Sequence, residues 1–307
     1  MSDLLATPFL KWAGGKTQLL AEILPRLPER MTTYVEPFIG GGAVFFSLAS
    51  QRRFDDAVIA DRNPVLVEAY QTVRDEVGAL IDALEEHARF GTDEEYFYAI
   101  RAKDVTRMDK VQRTARLIYL NKTCFNGLYR VNRKGQFNVP FGRYAKPRIL
   151  DEHNLKACAQ VLKNVTILES DFEGVARLAR RGDGIYFDPP YVPLSATSSF
   201  TSYDKHPFGP KEHARLVEVY KGCCERGAVA VLSNSDCPIT RELYADLKVV
   251  TVEATRAINS KGASRGRINE VLVAGLGRPQ PNLQQTWDSA VPAATERFLK
   301  GRRKAAS

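Results

Sequence analysis

The chain has 307 residues, is 44% hydrophobic, and carries 44 Lys plus Arg against 36 Asp plus Glu, a formal charge of +8. That apolar content is ample for a large core, which excludes global disorder, and no apolar run approaches the ~20 residues that span a bilayer. The five cysteines are odd in number and form no CxxC pair, so reduced core thiols are expected, with no disulfide framework and no metal.

The positive charge is local. Residues 110–150 hold ten basic side chains and no acid, whereas the other 266 residues hold 34 basic and 36 acidic ones. A basic segment on a near-neutral body reads as a dedicated phosphate-facing module. The opening residues lack the basic, apolar, small-residue order of a signal peptide, so a cytoplasmic protein without a membrane partner is expected.

In chain order, Gly14-Gly15-Lys16-Thr17 resembles the end of a phosphate-binding loop, but Leu10 stands where that motif needs its first glycine and no clear strand precedes it. Lys16 is left as a candidate anion binder. A strand at 34–37 runs into Glu36-Pro37-Phe38-Ile39-Gly40-Gly41-Gly42 and a helical pattern at 43–48, a turn whose glycines permit sharp bends and close ligand approach. The next strand, 57–60, delivers Asp61, 19 residues past Gly42, where nucleotide-binding α/β folds place a carboxylate on ribose hydroxyls. Phe45 replaces the third glycine of a dinucleotide site, which suits a ligand with a ribose and no pyrophosphate; a purely structural turn is the competing reading.

Residues 64–86, 93–103 and 110–121 then show helical spacing, and 128–139 alternates around Arg133-Lys134-Gly135 like a hairpin. This interval has no core strand and reads as an insertion, with the basic surplus on its last helix and hairpin. Strands resume at 165–168 and 184–187. The second stops at Asp188-Pro189-Pro190-Tyr191, because two prolines cannot continue a central strand. A carboxylate, a carbonyl and an aromatic ring therefore arrive together at the sheet edge where open α/β folds bind ligands. Strands at 228–232, 248–252 and 271–275 complete the α/β alternation. The segment 192–209 reads as a functional loop, Arg256, Lys261, Arg265 and Arg267 as a basic loop, and 278–307 as a solvated basic tail.

Together these segments closely resemble the Dam-type DNA adenine N6-methyltransferases of the D12 class, alpha group. The resemblance rests on Phe9-Leu10-Lys11-Trp12-Ala13-Gly14-Gly15-Lys16, the 36–42 turn, Asp61-Arg62-Asn63, Asn126-Gly127-Leu128-Tyr129-Arg130, the run 137–144, and Asp188-Pro189-Pro190-Tyr191 followed by Pro193-Leu194-Ser195-Ala196-Thr197, in that order. It implies a Rossmann-like S-adenosylmethionine-dependent methyltransferase fold built from 1–63 and 151–277. The insertion, 64–150, is then a target recognition domain of helices plus a β-hairpin. The implied reaction moves a methyl group from S-adenosyl-L-methionine to the N6 amine of adenine in double-stranded GATC, by base flipping and in-line transfer, leaving S-adenosyl-L-homocysteine. The implied actor is a monomer at the nucleoid, and mismatch repair, replication control, a restriction system and a phage are all open as its setting. A restriction-modification or phage enzyme with a different target is the alternative.

For catalysis the resemblance implies Asp188, Pro189, Pro190 and Tyr191. For the cofactor it implies Trp12, Ala13, Gly14, Lys16, Glu36, Pro37, Phe38, Gly40, Asp61, Asn63, Asp171, Phe172 and Asp188. For DNA it implies Lys11, Phe125, Asn126, Leu128, Arg130, Asn132, Pro140 and Tyr144 near the bases. Arg116, Lys122, Arg133, Lys134, Arg143, Lys146, Lys261 and Arg265 are expected on phosphates, which position without reading sequence. Arg130 has the chemistry to donate two bonds to guanine O6 and N7. Leu128 reads as a wedge into the base stack, or as core. Other readings explain less: glutamine methylation goes with Asn at the position of Asp188, a silent DNA-binding module leaves the cofactor apparatus unused, and a nicotinamide dehydrogenase has no use for the hairpin.

Overall fold

The structure, a computed structural model, describes residues 5–192, 208–255 and 267–275. Seven strands, β1 (Met31–Glu36), β2 (Phe54–Asp61), β3 (Thr166–Glu169), β4 (Gly184–Phe187), β5 (Val229–Ser235), β6 (Val249–Thr255) and β7 (Arg267–Gly275), form one sheet of order β3-β2-β1-β4-β5-β7-β6. The first five are mutually parallel, and β7 lies antiparallel between β5 and β6. This is a doubly wound α/β sheet, the class that the alternation of strands and helices predicts.

Strand periodicity divides the core. Val35, Val58, Ile185, Leu232 and Val273 point to one face, while their neighbours Tyr34, Ile59, Tyr186, Val231 and Leu272 point to the other. Because helices cover both faces, these strands read as unbroken apolar runs. α8 (Phe172–Ala176), α9 (Pro210–Glu225) and α10 (Pro238–Leu243) lie on the first face. α1 (Leu20–Ile23), α2 (Ala43–Ser50), α3 (Pro64–Asp75) and α7 (Glu152–Leu162) lie on the second, joined by α4 (Val77–Ala88), α5 (Glu94–Ala102) and α6 (Lys110–Thr123). Leu66, Leu80, Phe97 and Ile118 of the 64–150 segment belong to the same cluster as Tyr34 and Ile59, so the segment shares a core with the sheet.

Local chemistry sets the helix starts. Asn63 caps α3 by accepting from Val65 N at 3.1 Å, with Pro64 in the first turn. Asp109 and Gln112 form a reciprocal capping box on α6. Several strands run longer than the apolar pattern marks, with β1 and β7 starting at Met31 and Arg267 rather than 34 and 271 and β5 ending at Ser235 rather than 232. β2 starts at Phe54 rather than 57, because Asp55 and Asp56 are exposed while the backbone already pairs with β1. The helical pattern at 64–86 breaks at Glu76. The hairpin pairs through a single bridge, Val131 to Phe137, around a turn with Gly135 at φ +76°. No described helix is long and apolar enough to cross a membrane.

One buried group gives this fold a pH signature. His213 of α9 is 2% exposed, packs edge-on to Phe208 and has no hydrogen-bond partner on either ring nitrogen among the described residues. Burial pushes its pKa down to about 4. Below pH 6.5 the unfolded chain therefore binds a proton that the folded chain refuses, and stability falls as pH drops toward 4. Denaturant titrations should show the stability of wild type relative to His213→Met falling by about 2 kcal/mol from pH 7 to pH 5. A pH-independent difference would remove His213 as the cause.

Candidate active site

The strand order reverses direction between β1 and β4, and a doubly wound sheet opens a crevice at the carboxyl ends of such neighbours. On the β1 side, Gly40 N donates to Asp61 Oδ2 (3.2 Å) and Asn63 N to Asp61 Oδ1 (3.0 Å). Asp61 thereby links the glycine turn to the start of α3. Gly42 sits at φ +74°, and a Cβ there would lie 2.6 Å from the Tyr70 hydroxyl, so both conformation and space require glycine. Trp12 lies over Gly40 and Gly41 and stacks on Tyr129 (5.1 Å, 23°). Ala13 and Gly14 are exposed beside it, and Pro37 is buried.

On the β4 side, Asp188 leaves the strand 19% exposed and meets Lys16, 6% exposed, with Nζ 2.9 Å from Oδ1. Lys16 also donates to Gly14 O and lies over the Tyr191 ring at 4.6 Å. Ser233 Oγ donates to the same Asp188 oxygen at 3.0 Å. Burial raises the Asp188 pKa, opposed by the Lys16 charge and the bonds from Lys16 and Ser233. Tyr191 donates to Glu270 Oε2 at 2.6 Å. Pro189 is buried and Pro190 exposed. Glu36, expected on the cofactor, is 2% exposed and accepts from Tyr34 OH at 2.7 Å. Burial pushes its carboxyl well above the ordinary range, opposed by the bond from Tyr34.

An aromatic wall closes the third side. Phe38 stacks on Phe172 (5.5 Å, 25°), and the Arg215 guanidinium covers the Phe172 ring at 4.4 Å. Asp171 caps α8 through Glu173 N (2.9 Å) and pairs with Arg215 at 2.8 Å.

The basic segment lies at the edge of this crevice. Asn121, fully buried on α6, accepts from Lys11 N (2.8 Å) and donates to Lys11 O (2.8 Å) and Gly127 O (2.9 Å). It fastens the strip before Trp12 to the hairpin, so Lys11, Phe125, Asn126, Leu128, Pro140 and Tyr144 gather on one rim. Phe125 is 46% exposed, Leu128 is half-buried against the core, and Lys11 Nζ stands over Tyr144 at 5.1 Å. Arg130 is exposed, its Nε and Nη2 donating to Asn138, and its Nη1 makes no hydrogen bond among the described residues. Asn132 spends its side chain inside the turn, accepting from Lys134 N and Gln136 N.

Not all the basic residues face outward. Arg116, expected on phosphate, is 9% exposed and donates to Ile100 O (2.9 Å) and Arg101 O (2.6 Å). It satisfies the carbonyls that end α5, where partial negative charge accumulates, and this corrects the expectation. Lys122, also expected on phosphate, is half-buried, and burial lowers its pKa. Lys110, Arg113, Arg143 and Arg148 pair with Glu76, Glu68, Glu94 and Asp151. Arg130, Arg133, Lys134 and Lys146 are exposed without an ion pair among the described residues. Lys261 and Arg265 lie outside the described residues, as do most of the 192–209 loop and the 278–307 tail.

Sequence reasoning did not single out Ser233, Glu270, Asn121 or Arg215. Ser233-Asn234-Ser235 closing an apolar strand is the same local signal as Asp188 after β4 and could have been read. Glu270 and Asn121 act across 79 and 110 residues of chain, and no local pattern marks them.

Comparison with known proteins places this geometry. The family described as D12 class N6 adenine-specific DNA methyltransferase matches residues 12–258. A type II methyltransferase, M.MjaIII of Methanocaldococcus jannaschii, is 44% identical over 286 residues, covering 87% of this chain and 98% of its own. M1.LlaDCHI of Lactococcus lactis subsp. cremoris, also a type II methyltransferase, is 43% identical over 88% of this chain and 95% of its own. The DNA adenine methylase of Escherichia coli K12 is 38% identical over 86% and 93%. With the family match running through both sides of the crevice and the basic rim, the chain belongs to the D12 class of N6 adenine-specific DNA methyltransferases.

Proposed function

We propose that the chain transfers the methyl group of S-adenosylmethionine to the N6 amine of adenine in duplex GATC, after rotating that adenine out of the stack. The observation that carries this reading is the convergence of Asp188, Pro189 and Tyr191 with Lys16 and the glycine turn at one crevice mouth, beside a rim of exposed cations.

The donor set fits the cofactor. A turn that admits only glycine at residue 42 brings backbone close to a ligand, Asp61 offers a carboxylate to ribose hydroxyls, and the half-buried Phe38 offers a ring face to an adenine; Phe172, expected on the cofactor, is fully buried behind Phe38 and supports it instead. The ammonium of Lys16 has three hydrogens, and bonds to Asp188 and Gly14 leave one for a ligand carboxylate. When bound, the sulfonium supplies an electrophilic methyl group.

The protein's task is to make a poor nucleophile attack. The adenine amine delocalises its lone pair into the ring. If the Asp188 carboxylate and the Pro189 carbonyl each accept one amine hydrogen, the nitrogen is drawn toward tetrahedral geometry and its lone pair is aimed. The amine becomes acidic once alkylated, so Asp188 is asked to orient first and to receive a proton only afterward. Tyr191, anchored through its hydroxyl to Glu270, presents a ring against which a flipped base stacks. Alignment of both reactants in a water-poor crevice contributes on the order of 7 to 11 kcal/mol.

On the rim, Arg130 is assigned to guanine and Lys134 to phosphate. Arg130→Ala should cost about 1 to 3 kcal/mol of discrimination at one base pair, whereas Lys134→Ala should weaken all sequences alike and lower the salt slope by about one. Binding titrations on duplexes differing at that pair separate the two; equal sequence preference in both variants would contradict the division.

Two of the relatives are type II methyltransferases, which favours a second reading, an enzyme paired with a restriction system. Treated plasmid should become resistant to nucleases that cut only unmethylated GATC and sensitive to those that need the methyl group. Methylation that leaves GATC sites cleavable would move the target to another sequence.

A further inference from the structure

We propose that Ser233, with Tyr186 behind it, is a positioning residue that fixes the Asp188 carboxylate so that Oδ2 is the oxygen presented to the adenine amine; this deepens, and rests on, the methyltransferase reading.

The register sets up the contact. β4 and β5 run parallel with Phe187 beside Leu232, so Asp188, the first residue past the end of β4, is the neighbour of Ser233, which β5 still holds in the sheet. Ser233 is fully buried, and its Oγ lies 3.0 Å from Asp188 Oδ1 and 2.8 Å from the Tyr186 hydroxyl. A serine hydroxyl has one hydrogen, so donation to the carboxylate requires Tyr186 to donate to Ser233. Tyr186 is fully buried, and burial raises its pKa well above the ordinary phenol value, so it keeps the proton this arrangement needs. Phe187 O is a more distant acceptor for the Ser233 hydroxyl at 3.4 Å, so the shorter contacts favour the order phenol to hydroxyl to carboxylate.

Asp188 Oδ1 takes both Ser233 and Lys16, at 3.0 and 2.9 Å. Oδ2 has no partner among the described residues and is the oxygen left for a substrate donor. Lys16 alone is a poor anchor, because its flexible stem is shared with Gly14 and the ligand side of the crevice. Ser233 sits on a central strand and does not move with the ligand. Its bond to the charged form also opposes the rise in pKa caused by burial.

The test uses the full chain and whichever adenine duplex the wild type methylates. Ser233→Ala should lower kcat about 10- to 100-fold, the range of a lost bond to a charged group, with Kd for S-adenosylmethionine and DNA within about 3-fold of wild type. The acid limb of the kcat profile should move to higher pH, and Ser233→Thr, which restores a hydroxyl, should recover rate and limb together. Wild-type kcat with an unmoved acid limb would overturn the proposal, as would cofactor affinity lost in proportion to kcat. If Ser233→Ala does not fold, Tyr186→Phe decides: a lower kcat with a shifted acid limb supports the relay, and an unmoved limb overturns it. A wild type that methylates no adenine duplex fails the functional reading itself, whereas an active wild type with an indifferent Ser233→Ala fails this inference alone.

Discussion

Asp188→Ala is expected to lower the methylation rate on the order of 10³-fold while duplex affinity stays within about 3-fold, because the proposed function puts the carboxylate on the reacting amine and the basic rim on the duplex. The variant also strands Lys16, a buried cation that now pairs with Asp188 at 2.9 Å. Breaking a buried pair on one side costs about 3 to 5 kcal/mol when nothing replaces it. Here the cost should be smaller, since Lys16 keeps Gly14 O and the Tyr191 ring. Asp188→Asn separates the two effects. Its amide still offers an oxygen to Lys16 but turns a donor toward an amine that is itself a donor, so rate should fall as far with less loss of stability. Single-turnover kinetics beside denaturant titration measures both, and an Asp188→Asn enzyme close to wild type in rate would remove the carboxylate from the reaction.

Lys16→Met carries the second large effect. Loss of the cation should raise Kd for S-adenosylmethionine about 10- to 100-fold, the range of a charge-assisted bond, measured by calorimetry on the free protein. The pH dependence has a definite sign. Burial raises the Asp188 pKa and Lys16 lowers it; with the cation gone burial dominates, the carboxyl protonates at higher pH, and the acid limb of kcat moves up. Unchanged cofactor affinity would leave Lys16 as a structural partner of Asp188 only.

The crevice was legible in the sequence where its signals are local. An apolar strand stopped by Asp188 and two prolines, and a strand that runs into glycines with Asp61 following at the next strand end, each announce a sheet edge without help from distant residues. The alternation of strands and helices gave the fold class for the same reason. Sheet order was not legible, because pairing β5 with β7 and turning β7 antiparallel depends on residues far apart in the chain. Charge counting was legible only in part. The surplus at 110–150 is real, yet Arg116 caps α5 and Lys110, Arg113, Arg143 and Arg148 pair with acids that sequence places outside that interval. A count registers the cation but not the partner that neutralises it. The segment's exposed unpaired cations reduce to Arg130, Arg133, Lys134 and Lys146, a smaller and sharper footprint for a duplex.

The central claim is adenine N6 methylation within GATC, and nucleoside mass spectrometry on paired duplexes tests it most directly. One duplex carries a single GATC and the other differs at one base pair of that site; both are treated with the protein and S-adenosylmethionine. The account predicts N6-methyladenine in the first duplex, one on each strand at completion, and little in the second. Equal methylation of the two, or a methyl group found on cytosine, would contradict it.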